Sequence, residues 1–128
     1  MNNIPTVPIE KVSLEENYYE DTDGYVYSAT KLIEHSKQYP IFDMPLSGID
    51  LRRSTWEIND LDDFIHHAKR CTDTDLKHPI ILDRYGTIAD GCHRVVKAIV
   101  LGKRTIKAIR LETMPPYDRI EKNSQKNE

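Results

Sequence analysis

Asp90-Gly91-Cys92-His93-Arg94 carries most of the chemistry that this chain can do. The run stands where apolar Ile88-Ala89 gives way, at Gly91, to a helix whose first turn is Cys92, His93 and Arg94. A first helical turn has unpaired backbone N–H groups and lies at the positive end of the macrodipole. Anions bind there, phosphates above all. A guanidinium and an imidazole in that turn add charge-assisted hydrogen bonds. The same surroundings favour a reactive thiol, so Cys92 is a candidate nucleophile or redox group. Asp90 offers a hard carboxylate oxygen suited to Mg2+. The stretch therefore reads as an anion cradle with a thiol in it.

Each residue also has a plain structural reading. Arg94 can form a salt bridge to Asp90 or Asp83. His93 can make an ordinary capping contact. Asp90 can close a turn on its own backbone. Gly91 suits a positive φ or a close backbone approach. Lys97, one turn on, reads as a solvated lysine. Elsewhere, His67 and Cys71 stand four apart near a helix end. With Cys92 and His93 they make a zinc-type donor set, although nothing in the spacing forces the pairs together. Arg52, Arg53, Lys69 and Arg70 are candidate phosphate or nucleic-acid contacts, or else scattered solvated charges. Asp50 and Glu57 are the carboxylates offered as a general base, with no spacing that singles out either.

The chain must position these groups within 128 residues, which predicts one domain. Its hydrophobic fraction of 38% and charged fraction of 30% are those of an ordinary globular protein. A net charge of −3 argues against DNA as the main partner, because a dedicated nucleic-acid module is usually basic. Two cysteines are too few for a secreted disulfide scaffold. The opening MNNIPTVPIEKVSLEE lacks the basic-then-apolar order of a signal peptide. No apolar run approaches the roughly 20 residues that span a membrane. A reduced, cytoplasmic protein is the expectation.

Residues 1–27 read as an acidic, Tyr-rich N-terminal arm, with a turn at Thr22-Asp23-Gly24 and a short strand at Tyr25-Val26-Tyr27. The arm is either loosely packed or a mobile lid over the cradle. Residues 28–116 form the domain. Ser28 is a good N-cap for a helix that ends by Tyr39-Pro40. Ile41 to Leu46 alternates as a strand, and Pro45 places it at an edge or a strand end. Asn59 or Asp60 caps a second helix, with Leu61, Phe64, Ile65 and Ala68 on its apolar face. Ile80-Ile81-Leu82 and Thr87-Ile88-Ala89 form a hairpin across the Asp83-Arg84-Tyr85-Gly86 turn. The helix from Cys92 to about Leu101 is expected to bury Val95, Val96, Ile99 and Val100, and Gly102 stops it. Thr105 to Leu111 is the last strand. Residues 117–128 read as a polar tail expected to be disordered, and no internal repeat stands out.

The segment HPIILDRYGTIADGCHRVVKAIVLGKRTIKAIRL resembles the ParB/sulfiredoxin-like superfamily. Its members carry a strand-turn-strand, a G-x-H-R or G-x-R-R turn into a helix, then a glycine and another strand. The resemblance covers about Pro40 to Leu111. It implies an α+β fold, a small mixed sheet with flanking helices, and a nucleotide bound at the turn. The sulfiredoxin branch has G-C-H-R, matched by Gly91, Cys92, His93 and Arg94, with the cysteine as reactive thiol. The ParB branch binds CTP and adds a separate DNA-reading module. The free-serine-kinase-like branch has D-G-x-H-R and transfers a phosphoryl group, and Asp90 makes this chain most similar to it. Ile88-Ala89-Asp90 departs from the aromatic and glycine residues usual before the sulfiredoxin motif.

Together these readings predict a nucleotide-binding protein that takes ATP or ADP, or CTP. Gly91, Cys92, His93 and Arg94 hold the phosphates, and Asp90 holds Mg2+. Asp90 and Cys92 are the catalytic candidates for phosphoryl transfer or nucleotide hydrolysis, with a small molecule as second substrate. The alternatives are a sulfiredoxin-like thiol enzyme using Cys92, and a non-catalytic module that binds DNA or protein. No membrane partner is expected.

Overall fold

The computed structural model describes residues 3–9, 17–52 and 57–121. The fold is mixed α+β, with three α-helices and two small sheets among the described residues. The strands are β1 (Tyr18–Glu20), β2 (Tyr25–Ser28), β3 (Phe42–Pro45), β4 (Ile80–Leu82), β5 (Ile88–Asp90), β6 (Thr105–Arg110) and β7 (Arg119–Ile120). The helices are α1 (Ala29–Ser36), α2 (Leu61–Asp73) and α3 (Cys92–Val100).

The four-stranded sheet runs β3-β6-β4-β5, with β4 parallel to β6 and the other pairs antiparallel. Alternation along its strands sends side chains to two cores. Ile80 and Leu82 of β4, Ile88 of β5, and Ile106 and Ala108 of β6 pack with Cys92, Val95 and Ala98 of α3. Ile81, Ala89 and Ile109 point the other way, onto Leu32 of α1 and onto Tyr19 and Tyr27. Both faces of β4 are covered, which explains its unbroken Ile-Ile-Leu run. Pro45 ends β3, an edge strand, where its missing N–H costs no ladder bond.

Several local expectations hold. The Ser28 side chain accepts from Lys31 N–H at the start of α1, and Asp60 accepts from Asp63 N–H at the start of α2. Gly102 lies just past α3 with φ +80, and Lys103 N–H reaches back to Ala98 C=O at 2.9 Å.

Others give way to tertiary packing. Residues 18–28 are not a loose arm. β1 and β2 pair antiparallel, and Tyr19, Val26 and Tyr27 are buried. The stretch expected as a polar tail contributes β7, which pairs with β2; residues 122–128 lie outside the described residues. Leu61 and Phe64 of α2 are exposed, at 72% and 53%, because α2 packs chiefly on α3 and not on the sheet. Of the four α3 positions expected inside, Val95 alone is fully buried, and Val100 is 79% exposed. The face that meets the sheet is Cys92, Val95 and Ala98; the apolar arc of this helix also takes in Val96, Ile99 and Val100 and is wider than the buried face, so periodicity alone did not select that face.

Two hairpin turns repeat one design. Asp21 and Asp83 each accept, through Oδ1, from the backbone N–H groups two and four residues on. Gly24 and Gly86 close the turns at φ +87. The second oxygen of each aspartate accepts from a tyrosine, Tyr27 at 3.2 Å and Tyr19 at 2.6 Å respectively. Burial, and then the Asp21 charge, push the Tyr27 phenol up to about 12. Arg84 joins the turns by pairing with Asp23 at 3.1 Å.

Candidate functional site

β5 delivers Asp90 to the edge of a cleft, and Gly91 turns the chain into α3. Gly91 has φ +106 and ψ 22, a region that disfavours any side chain. A Cβ there would stand 2.7 Å from Ile80 Cγ2 and 2.9 Å from Arg94 Nη2. The missing side chain is what lets the Arg94 guanidinium fold back over the turn.

Arg94 Nη2 donates to Pro79 C=O at 3.1 Å and to Asp90 Oδ2 at 3.2 Å. The salt bridge to Asp90 is therefore present. None forms to Asp83, whose oxygens are occupied by Tyr19, Tyr85 and Thr87. Arg94 Nε is buried with no hydrogen-bond partner among the described residues. A buried donor left in that state costs about 1–3 kcal/mol.

His93 lies half-buried against α2. Its Nε2 is 2.9 Å from His67 Nδ1, and the two rings are nearly parallel, edge to edge, with centroids 5.1 Å apart. One ring donates and the other accepts, so the bond fixes complementary tautomers. Burial, followed by the charges of Arg70, His67 and Arg94, holds His93 down to about 4. Burial and then Arg70 lower His67 as well. Both rings are neutral near pH 7, about where unperturbed histidine begins to titrate.

A cavity of about 370 Å³ opens at this turn, bordered by Asp90, Gly91, His93 and Arg94. Arg70, Thr74 and His78, with Asn17 and Ser36, add to its polar wall. A smaller cavity of about 170 Å³ adjoins it, bordered by His67, Tyr18 and Tyr19, and shares Arg70 and His93 with the first. Arg70 has no carboxylate partner among the described residues, and it brings a second guanidinium to the cavity that Arg94 lines. The sequence offered Arg70 as one of four candidate phosphate or nucleic-acid contacts, or else a solvated charge, with nothing that tied it to the turn at Gly91. His78 and Thr74 gave no sequence signal.

The remaining candidates separate. Lys97 is not a solvated lysine: its Nζ donates to Thr72 C=O at 3.0 Å and Thr74 C=O at 2.7 Å, binding α3 to the carbonyl end of α2. Arg52 pairs with Asp50 at 3.0 Å, and Lys69 with Asp73 at 3.4 Å. Arg53 lies outside the described residues. Asp50 and Glu57 line neither cavity. Cys92 is 8% exposed and packs in the core under α3, bordering only the smaller cavity. Burial pushes the Cys71 thiol up. His67 and His93 do meet, yet among the described residues no group of three or more His, Cys, Asp or Glu is arranged to hold a metal ion. No helix among the described residues is long and apolar enough to cross a membrane. No family model, no curated protein and no solved structure matches the chain.

Proposed function

We propose that this chain is a nucleotide-binding protein of the ParB/sulfiredoxin-like kind, holding a nucleoside di- or triphosphate at the N-terminus of α3. The observation that carries the reading is the roughly 370 Å³ cavity in which Arg70 has no carboxylate partner among the described residues and Arg94 carries a buried, unpartnered Nε. Two guanidiniums, an imidazole and first-turn amides converge there, which suits phosphate oxygens. ATP, ADP and CTP all present that group. Arg94 engages only Oδ2 of Asp90, so Oδ1 is the ligand the chain would give Mg2+. The metal would supply charge neutralisation between phosphates. Phosphoryl transfer or nucleotide hydrolysis is the chemistry such a site supports, since both depend on positioning and charge more than on a covalent group. The buried Cys92 thiol does not favour a thiol mechanism.

Calorimetric titration with ATP, ADP and CTP, each with Mg2+, tests the proposal. Binding is expected for wild type and a loss of about tenfold or more for Arg70→Ala, which removes a charge-assisted contact. No heat with any nucleotide, or equal affinity for wild type, Arg70→Ala and Arg94→Ala, would overturn it.

A further inference from the structure

We infer that the His67–His93 pair makes this site proton-linked and selective for multiply charged oxyanions: the pair takes one proton from solvent when a di- or polyphosphate binds. The inference rests on the phosphate-site reading above and adds its ligand class and its control. Two ring nitrogens 2.9 Å apart share a single proton. Protonating both rings would set two like charges 5.1 Å apart, with two N–H donors facing each other across the 2.9 Å contact. His93 also borders both cavities, so whatever enters the larger one meets it.

The charges around the pair decide its state. On α2, Arg70 is the dominant neighbour of both rings; the Asp63 carboxylate accepts from Asn59 N–H, and His66 lies one residue from His67. On α3, Arg94 faces His93, and Cys92 precedes it. From β5, Asp90 is already paired with Arg94. From β1, Tyr18 and Tyr19 border the smaller cavity, and Tyr19 donates to Asp83. His78 stands across the larger cavity. Among the described residues the balance is cationic, which disfavours an imidazolium.

A multiply charged anion reverses that balance. It neutralises Arg70 and Arg94 together, and a protonated His93 gains an oxygen to donate to. A monoanion offsets one guanidinium and leaves the other opposing the proton. Returning His93 from about 4 to its ordinary 6.5 makes binding about tenfold tighter at about pH 5.5 than at about pH 8.

Histidine ring NMR on the full chain reads this directly. Sulfate is the probe, because it stays divalent across the range; chloride is the monovalent control. Saturating sulfate is expected to bring the His93 midpoint from about 4 back to about 6.5 and to tighten with falling pH by the tenfold above. His93→Gln is expected to bind sulfate with no such pH dependence. Sulfate that perturbs the residue 91–94 amides equally at every pH, with an unmoved His93 midpoint, would overturn the inference and leave the phosphate site standing. An equal shift with chloride would overturn the selectivity. Absence of any perturbation by sulfate or pyrophosphate at all pH values would remove both.

Discussion

Replacing Gly91 by alanine separates steric from conformational cost at the turn that builds the site. At φ +106 an L-residue loses about 1–2 kcal/mol from backbone strain alone. The added Cβ would also lie 2.7 Å from Ile80 Cγ2, a fully buried side chain in the middle of the sheet. Ile80 cannot yield without disturbing the α3 core, so an overpacking cost of about 1–3 kcal/mol adds to the first. The expected loss is about 2–5 kcal/mol in all. Gly102 is the internal control: its φ is +80, and a Cβ there meets nothing within 4 Å. Gly102→Ala should therefore lose only the conformational part, about 1–2 kcal/mol. Urea unfolding, with m unchanged, measures both losses on one scale. The Gly91 Cβ also falls 2.9 Å from Arg94 Nη2, so the same variant should lose nucleotide affinity. Equal losses for the two alanine variants, or a Gly91→Ala variant as stable as wild type, would refute this account of the turn.

Two further predictions concern stability. Tyr19→Phe removes the donor 2.6 Å from Asp83 Oδ2 and leaves a buried carboxylate oxygen short of a partner, so a loss of about 1–3 kcal/mol is expected in thermal or urea unfolding; an unchanged midpoint would show that the Tyr19 bond contributes nothing. His93 gives a pH dependence of definite sign. Its folded value of about 4 lies below the ordinary 6.5, so the unfolded chain binds the extra proton. Its contribution is fully present above about pH 6.5 and is lost progressively as pH falls toward 4, which urea midpoints across that window should show for wild type and show less steeply for His93→Gln. Identical slopes for the two proteins would contradict the assigned environment.

The sequence by itself determined the features whose causes act within a few residues. Ser28 and Asp60 cap helices because their side chains reach N–H groups three positions on. Gly91 and Gly102 adopt positive φ because no other residue does so at small cost. The β4–β5 hairpin and the edge position of β3 follow from turn chemistry and from a proline. The Gly91 turn into α3 was legible for the same reason, since its residues are consecutive.

Tertiary structure decided what depends on partners far along the chain. Tyr19 is buried because it reaches Asp83, sixty-four residues away. His67 meets His93 across twenty-six residues. Arg70 becomes part of the site only because α2 lies against α3, a placement its own apolar spacing did not reveal. The two Asp-x-x-Gly turns became visible as one repeated device only when Arg84 was seen to join them. Periodicity marks which residues are apolar. Which apolar face is covered, and which charges converge, depends on how the elements pack together, and no window of adjacent residues contains that information.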